Sequence, residues 1–468
     1  MAQVCGPHRL FHVIGLCSMS ATIFALSSGQ DRAGVAVIRV SGPGASPALR
    51  AIARVVPGPR VARRVRLIDP ADGLPLDDAL ALWFPGPQSF TGEDVAELHV
   101  HGGRAVVAGV LAALGRLPGL RLAEPGEFTR RAFEHGKIDL TEAEGLADLI
   151  AAETDAQRCL ALRQLSGELH RAAEAWRREL LQAQALVEAA IDFADEGDVS
   201  QGAVNQAIGI AERLRQALAQ ALDDDHRGEI LRDGFRVVIA GPPNVGKSSL
   251  INAIARREAA IVSDEAGTTR DIVELQLNLG GLAVVLADTA GVRAAQGKIE
   301  REGIRRGLER ARGADLVLWV MDARAPDPAL PAELTGGAGH TIWLLNKIDL
   351  PDAVETQARL LVPMSGQTWM AVSAVTGVGL GALEAIIATA ARQRTRGGEM
   401  ALITTARHRQ QIAAAAAALQ TFETGAKDVL ELRAEDLRLA SNAIGRLIGR
   451  VDAEEILGEI FGRFCIGK

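Results

Sequence analysis

The stretch Gly241-Pro-Pro-Asn244-Val245-Gly246-Lys247-Ser248-Ser249 carries residue types and a spacing suited to phosphate chemistry. It matches G-x-x-x-x-G-K-[ST] at every fixed position. Gly241 and Gly246 let the backbone wrap a phosphate without Cβ clashes. Lys247 would reach the β- and γ-phosphates, and the Ser248 hydroxyl suits Mg²⁺. Asn244, Val245 and Ser249 complete the loop expected on the nucleotide.

Three further signals follow in the order that a guanine-nucleotide site requires. Asp288-Thr289-Ala290-Gly291 would bring a carboxylate to the Mg²⁺ shell and the Gly291 N–H to the γ-phosphate. Asn346-Lys347-Ile-Asp349 offers a carboxylate that can accept from guanine N1–H and the 2-amino group, a pattern adenine lacks. Ser373-Ala374 would set a backbone N–H on guanine O6. Between the phosphate loop and Asp288 lies the switch stretch, Ser263 to Asp271, which includes Thr268. Its Thr269 is the natural second hydroxyl on Mg²⁺. Val292 stands where many GTPases have a glutamine that orients the attacking water. Spacing alone reads Arg293 and Glu300, just downstream, as a solvated switch face.

The elements that must position these residues are legible around them. Arg236 to Ala240 reads as a strand and Ser249 to Ile254 as a helix, so the glycine loop opens at a helix N-terminus whose free N–H groups face an anion. Ala283–Ala287, Thr341–Leu345 and Met370–Val372 read as strands that end at the other three signals. Residues 21–137 read as α/β, with strands at Gly34–Val40, Ala79–Phe84 and Val95–Val100 and a helix from Arg104 to Leu117. Residues 140–222 carry helical spacing of Leu and Ile. Helical pattern resumes after Arg396-Gly-Gly398, in Ala413–Ala418 and Leu430–Leu447. Asp452 with Glu455 resembles a capping box for a last helix holding Ile456, Leu457, Ile460 and Phe461.

The reading that follows is a multidomain α/β plus α protein. An N-terminal α/β domain (19–137) precedes a helical domain formed by two chain segments (138–233 and 396–468). A Ras-like P-loop GTPase α/β domain (234–395) is inserted between them. Residues 1–18 read as an over-extended start with Met19 as the initiator, since their apolar run is too short and interrupted for a signal peptide.

Composition bounds the function classes. At 468 residues and 48% apolar, the chain can build several cores. A net charge of −7 gives no global basic field, so any RNA contact must use a local patch. Cys5, Cys17, Cys159 and Cys465 form no C-x-x-C pair, which argues against a zinc site or disulfide framework and fits a reducing cytosol. No apolar run is long enough to span a membrane.

Further stretches carry a family resemblance: Thr22-Ile-Phe-Ala25, Gly34 to Gly42, Ser89-Phe-Thr-Gly-Glu-Asp94, His101-Gly-Gly103, Pro125-Gly-Glu-Phe-Thr-Arg-Arg-Ala-Phe133, Glu188 to Phe193, Ala266-Gly-Thr-Thr-Arg-Asp271 and the tail Phe464-Cys-Ile-Gly-Lys468. On these residues, 19–468 resembles the tRNA-modification GTPase family MnmE, also called TrmE. The resemblance implies addition of a carboxymethylaminomethyl or aminomethyl group to C5 of the wobble uridine of certain tRNAs. It implies a homodimer, a flavoprotein partner, MnmG (GidA), in a hetero-oligomer, and a cytoplasmic location. The one-carbon unit would come from 5-formyl- or methylene-tetrahydrofolate in the N-terminal domain, on Arg39, Glu97, Lys137 and Lys468. The resemblance puts K⁺ on Asn244, Ser263, Glu265 and Thr268, and gives Glu300 the water-orienting role beside Asn244 and Lys247 in catalysis. Arg293 aligns with a switch arginine without a settled role. Cys465 stays open between a nucleophile and a conformational neighbour of the folate site. The rival class is a GTP-switched ribosome-assembly or RNA-binding protein without modification chemistry, which usually carries a basic appendage; none is evident in the sequence.

Overall fold

A computed structural model describes residues 21–29, 31–193, 197–257, 274–288, 313–326, 340–351, 353, 368–425, 429–451, 454–462 and 464–467. The chain groups into two compact units, residues 1–143 with 449–468, and residues 144–448. The last twenty residues thus group with the N-terminal unit, and the GTPase fold shares the other unit with most of the helices.

The first unit is built on β1 (Thr22–Leu26), β2 (Ala33–Ser41), α1 (Ala45–Ala53), β3 (Arg63–Ile68), β4 (Pro75–Phe84), β5 (Val95–Gly102), α2 (Arg104–Gly115), β6 (Leu120–Leu122) and α3 (Glu127–Glu134). Its sheet runs β3-β4-β5-β2-β1-β6 and is antiparallel except for the β1–β6 pair. Side chains alternate across the pleat. Ala36, Ile38 and Val40 of β2 and Leu98 and Val100 of β5 pack with Leu49 and Ile52 of α1 and Val110 and Leu114 of α2. Arg39, Glu97 and His99 alternate with them on the other face, which Phe128 of α3 and Phe90 cover in part. The C-terminal helix, Glu454–Gly462, packs against α3. A Cβ on Gly126 would lie 2.4 Å from the Phe461 carbonyl, so only glycine allows this approach. The Phe461 ring sits 6.4 Å from that of Phe133. Beyond it, Ile466 pairs with Pro125, and Ser27 Oγ donates to the Gly467 carbonyl at 2.7 Å. The Asp452 cap lies outside the described residues.

Helix α4 (Leu140–Ala151) comes next in the chain. The second unit then continues with α5 (Asp155–Leu165), α6 (Glu168–Asp192), α7 (Gly197–Leu222), α8 (Arg227–Asp233), β7 (Phe235–Ala240), α9 (Lys247–Arg257), β8 (Glu274–Leu279) and β9 (Leu282–Asp288). After these come β10 (Leu316–Asp322), β11 (His340–Asn346), β12 (Trp369–Ala371), α10 (Leu380–Thr395), α11 (Ala406–Thr424) and α12 (Leu430–Leu447). The long helices α6, α7, α11 and α12 close a core of Leu169, Leu180, Leu214, Leu419, Phe422 and Leu437. The sheet runs β12-β11-β10-β7-β9-β8, parallel except for the edge strand β8. Leu160 of α5 and Leu231 of α8 enter the core of this sheet beside Val237 and Leu286. That shared core is why the helices and the GTPase fold cohere. A buried charge cluster lies elsewhere in the unit. His408 Nε2 and Arg407 Nη2 lie 2.6 and 2.7 Å from Glu144 Oε2, and Arg232 Nε lies 2.8 Å from Asp148.

Candidate functional site

Strands β9, β10 and β11 end in polar residues at the same C-terminal edge of the sheet, with β7 between β10 and β9. In β10 and β11, Asp322 pairs with Asn346, and in β7 and β9, Ile239 pairs with Asp288. Beyond Ile239 and Ala240 the chain turns at Gly241 and enters α9 at Lys247. Parallel α/β sheets place ligands at this edge because the loops there converge on helix N-termini.

The loop between β7 and α9 has the backbone its sequence requires. Gly241 has φ 148°, and a Cβ there would lie 2.2 Å from the Val320 carbonyl. Gly246 has φ 94°, and a Cβ would lie 2.5 Å from Asn346 Nδ2. Asn244 adopts φ 62°, a left-handed conformation that asparagine tolerates better than most residues. Lys247 is buried, and its ammonium donates to the carbonyls of Gly241 (2.9 Å) and Pro242 (2.7 Å). Ser248 and Ser249 are exposed in the first turn of α9.

The loop after β11, Asn346–Asp349, is tied to the glycine loop after β7. Asn346, 1% exposed, donates from Nδ2 to the Val245 carbonyl at 2.9 Å and accepts from the Ala374 N–H at 3.1 Å. Lys347, itself at φ 68°, donates to the Asn244 carbonyl at 2.6 Å and to Asp322 Oδ2 at 2.8 Å. Ser373 Oγ donates to Asp349 Oδ1 at 2.6 Å, which orients that carboxylate. Of the Ser373-Ala374 amides, one of which was expected on guanine O6, that of Ala374 is thus held by Asn346 and that of Ser373 donates to the Val378 carbonyl. A cavity of about 270 Å³ opens between Pro242–Val245 and the end of β10, with Arg324 and Lys347 on its wall. The hydrogen bonds from Arg324, with those of Lys347, hold the Asp322 carboxyl well below the usual range. The sequence reading passed over Asp322 and Arg324. The available signal was a third strand ending, like β9 and β11, on a polar residue.

The site residues Ser263, Glu265, Thr268, Thr269, Thr289, Ala290, Gly291, Arg293 and Glu300 lie outside the described residues, as does Val292. For Asp288 only the backbone is described, at the end of β9.

A second cluster forms on the N-terminal sheet. Arg39 and Glu97 are direct strand partners. Arg39 Nε donates to Glu97 Oε1 at 3.0 Å, and the guanidinium lies 5.3 Å from the Phe90 ring and 5.8 Å from that of Phe128. His99 Nε2 is 3.3 Å from Glu97 Oε2. Lys137 is exposed, and its Cε would lie 3.5 Å from a Cβ on Gly92, in the loop that presents Phe90. That loop is braced from below by Arg131, which donates to both oxygens of Glu93, and by the Ser41 hydroxyl, which donates to Glu93 Oε2. The tail also arrives here. Gly467 has φ 101°, and a Cβ on it would lie 2.0 Å from the carbonyl of Leu26. The neighbour of Leu26 on β1, Ala25, is the strand partner of Arg39. Cys465 is exposed, and Lys468 lies outside the described residues.

Among the described residues no helix is long and apolar enough to cross a membrane. The family described as GTP-binding protein TrmE N-terminus matches residues 22–137, and the MnmE helical domain matches residues 140–465. The chain is 53% identical over 462 residues to the tRNA modification GTPase MnmE of Beijerinckia indica, covering 99% of this chain and 98% of that one. It is 51% identical to the protein of that name from Rhodopseudomonas palustris strain BisB5 (96% and 99% covered) and 52% identical to that from Parvibaculum lavamentivorans (96% and 100%). Of solved structures, the G domain of the T. maritima FeoB iron transporter aligns at 29% identity over 34% of this chain and 98% of that one. The TM-score of that alignment is 0.27.

Proposed function

The chain belongs to the MnmE family of tRNA modification GTPases, and from that premise we propose that its hydrolysis of GTP serves one reaction on the wobble uridine. The enzyme binds GTP with Mg²⁺ and acts in tRNA modification. In the reading proposed here it forms a cytoplasmic homodimer. With the flavoprotein MnmG it adds a carboxymethylaminomethyl or aminomethyl group at C5.

The roles follow from donor chemistry. Lys247 and the α9 N-terminus attract phosphate oxygens, Asp349 selects guanine, and the hydroxyls of Ser248 and Thr269 suit Mg²⁺. The exposed Asn244 amide oxygen, with Ser263, Glu265 and Thr268, suits K⁺. Glu300 would orient the attacking water, a task closed to Val292. When bound, the cations supply positive charge at the transferring phosphoryl group, and the folate supplies the one-carbon unit.

The observation that best supports the folate reading is the approach of the tail to the Arg39–Glu97 pair, through Gly467 on Leu26. The half-exposed Phe90 ring offers an aromatic surface of the kind on which a flat heterocycle stacks. Glu97 has lone pairs beyond those used by Arg39 and His99, so it can accept from a ring N–H and an amino group. Lys137 and Lys468 suit a carboxylate tail. The test is the mass-resolved nucleoside content of tRNA from a deletion strain complemented with wild type or with Glu97→Ala. Loss of the modified wobble uridine in the deletion strain and in Glu97→Ala, with recovery in wild type, is expected. An unchanged level in the deletion strain would favour the ribosome-assembly switch.

A further inference from the structure

Residues 43–68 contain six arginines, Arg50, Arg54, Arg60, Arg63, Arg64 and Arg66, and no Asp, Glu or Lys. In a chain of net charge −7 this is a local reversal of sign. The fold gathers all six at one edge. Arg50 lies in the last turn of α1 and Arg54 caps its end; α1 packs against β3, the edge strand that carries Arg63, Arg64 and Arg66. Every one of the six is exposed.

Their neutralisation is slight. Asp78 is bonded by Arg66 at 3.0 and 3.1 Å, with Arg64 at 3.8 Å from the same carboxylate. Among the described residues, Arg50, Arg54, Arg60 and Arg63 have no carboxylate within ion-pair distance. The nearby Asp69 and Asp77 are taken by Arg116 and His101. Arg60 is held over the Phe84 ring at 5.8 Å. Charge on an edge strand discourages strand addition, and a helix C-terminus favours cations. Those effects account for one or two arginines, not for six spread over a helix end, a connection and a strand.

We propose that this arginine edge, from the end of α1 through β3, docks the phosphate backbone of a folded RNA of the tRNA class. The proposal rests on the family's action on tRNA. Arginine suits the task because its planar fork matches phosphate oxygens in pairs, and such contacts position a nucleic acid without reading its sequence. The edge is also near the second cluster. Arg64 pairs with Leu80, and Leu80 with His99, so β3 is two strands from Glu97, roughly 10 Å at the usual strand spacing. An RNA held there would have its backbone beside the face that carries the Arg39–Glu97 pair.

The test uses the full-length protein and a fluorescein-labelled, unmodified tRNA transcript with U at the wobble position, followed by anisotropy at several KCl concentrations. The variant is Arg50→Ala/Arg54→Ala/Arg63→Ala, three residues whose loss orphans no carboxylate. Each phosphate contact contributes to the salt dependence of binding. The triple variant should therefore bind about 10-fold or more weakly at low salt, with a log–log salt slope shallower by about 2. The triple Arg→Lys variant should stay within about 3-fold of wild type, because charge is retained. GTP hydrolysis without RNA should be unchanged in both, which shows that they fold. Wild-type affinity and slope in the alanine variant would overturn the proposal. Loss of self-association in light scattering, with RNA affinity per chain unchanged, would overturn it as well, and would assign the edge to a second copy of this chain. A wild-type protein that hydrolyses GTP but binds no transcript at low salt would overturn the docking surface while leaving the family activity intact.

Discussion

Asn346 Nδ2 lies 2.9 Å from the carbonyl oxygen of Val245, so the loop after β11 holds the glycine loop after β7. The same side chain accepts from Ala374, and Gly246 leaves room for its amide nitrogen. One residue thus joins three segments that are far apart in sequence. Asn346→Ala would strand the Val245 carbonyl and the Ala374 N–H together. A buried polar group left without its partner costs about 1–3 kcal/mol. The variant should melt earlier and bind a fluorescent GDP analogue about 10-fold or more weakly. Wild-type affinity with a lowered melting temperature would show the joint to be structural only.

Turnover should be faster in K⁺ than in Na⁺. Asn244→Gly is the informative change, because glycine keeps the φ of 62° and removes only the amide. It should abolish the difference between the two salts. Glu300→Ala should lower kcat by about 10²-fold while leaving GTP affinity intact, as expected of a group acting on the transition state. Equal turnover of the wild type in both salts would contradict the K⁺ role of Asn244.

The nucleotide loops and the fold class were legible because single residue types at fixed spacings announce them. Gly241, Gly246, Lys247 and Asp349 have few substitutes in such a loop. The strands of the first sheet were legible where hydrophobic alternation is clean, as in Val95–Gly102. Strand β3 escaped because its exposed positions are arginines and only Val65 and Leu67 mark the buried face. The bonds that join distant segments were not legible in composition or spacing, and only the family resemblance brought Arg39 and Glu97 to one site. The Arg39–Glu97 bond depends on a strand register 58 residues apart, and the bond from Asn346 to Val245 spans 101 residues. The Glu144–His408 contact spans 264 residues, and neither residue sits in a motif.

The Glu144 cluster predicts an acid-sensitive fold. Burial alone would raise this carboxyl, but the His408 imidazole and the Arg407 guanidinium outweigh it and hold the value at about 2. A carboxyl lowered on folding contributes stability that is fully present above its unfolded pKa of 4.5 and lost as pH falls towards about 2. Asp148, pushed up by burial despite Arg232, works in the opposite sense and offsets part of the loss. Melting temperatures taken between pH 7 and pH 3 should fall below about pH 4.5. Glu144→Gln should be less stable at pH 7 and flatter across that window. Identical slopes for wild type and variant would place the acid sensitivity elsewhere.

In the proposed function, the N-terminal sheet and the C-terminal tail together form the one-carbon site of a tRNA-modifying GTPase. Calorimetric titration of the protein lacking Cys465 to Lys468 with 5-formyl-tetrahydrofolate is the decisive experiment. The truncation removes Gly467 from Leu26 and Ser27, and with it Lys468, the proposed partner of the folate's carboxylate tail. Loss of a charge-assisted contact of about 1.5–3 kcal/mol corresponds to about 10- to 100-fold in affinity. A loss of that size is expected with basal GTP hydrolysis unchanged, since the proposed nucleotide ligands all lie between Gly241 and Ala374. Folate affinity equal to that of the full chain would contradict it.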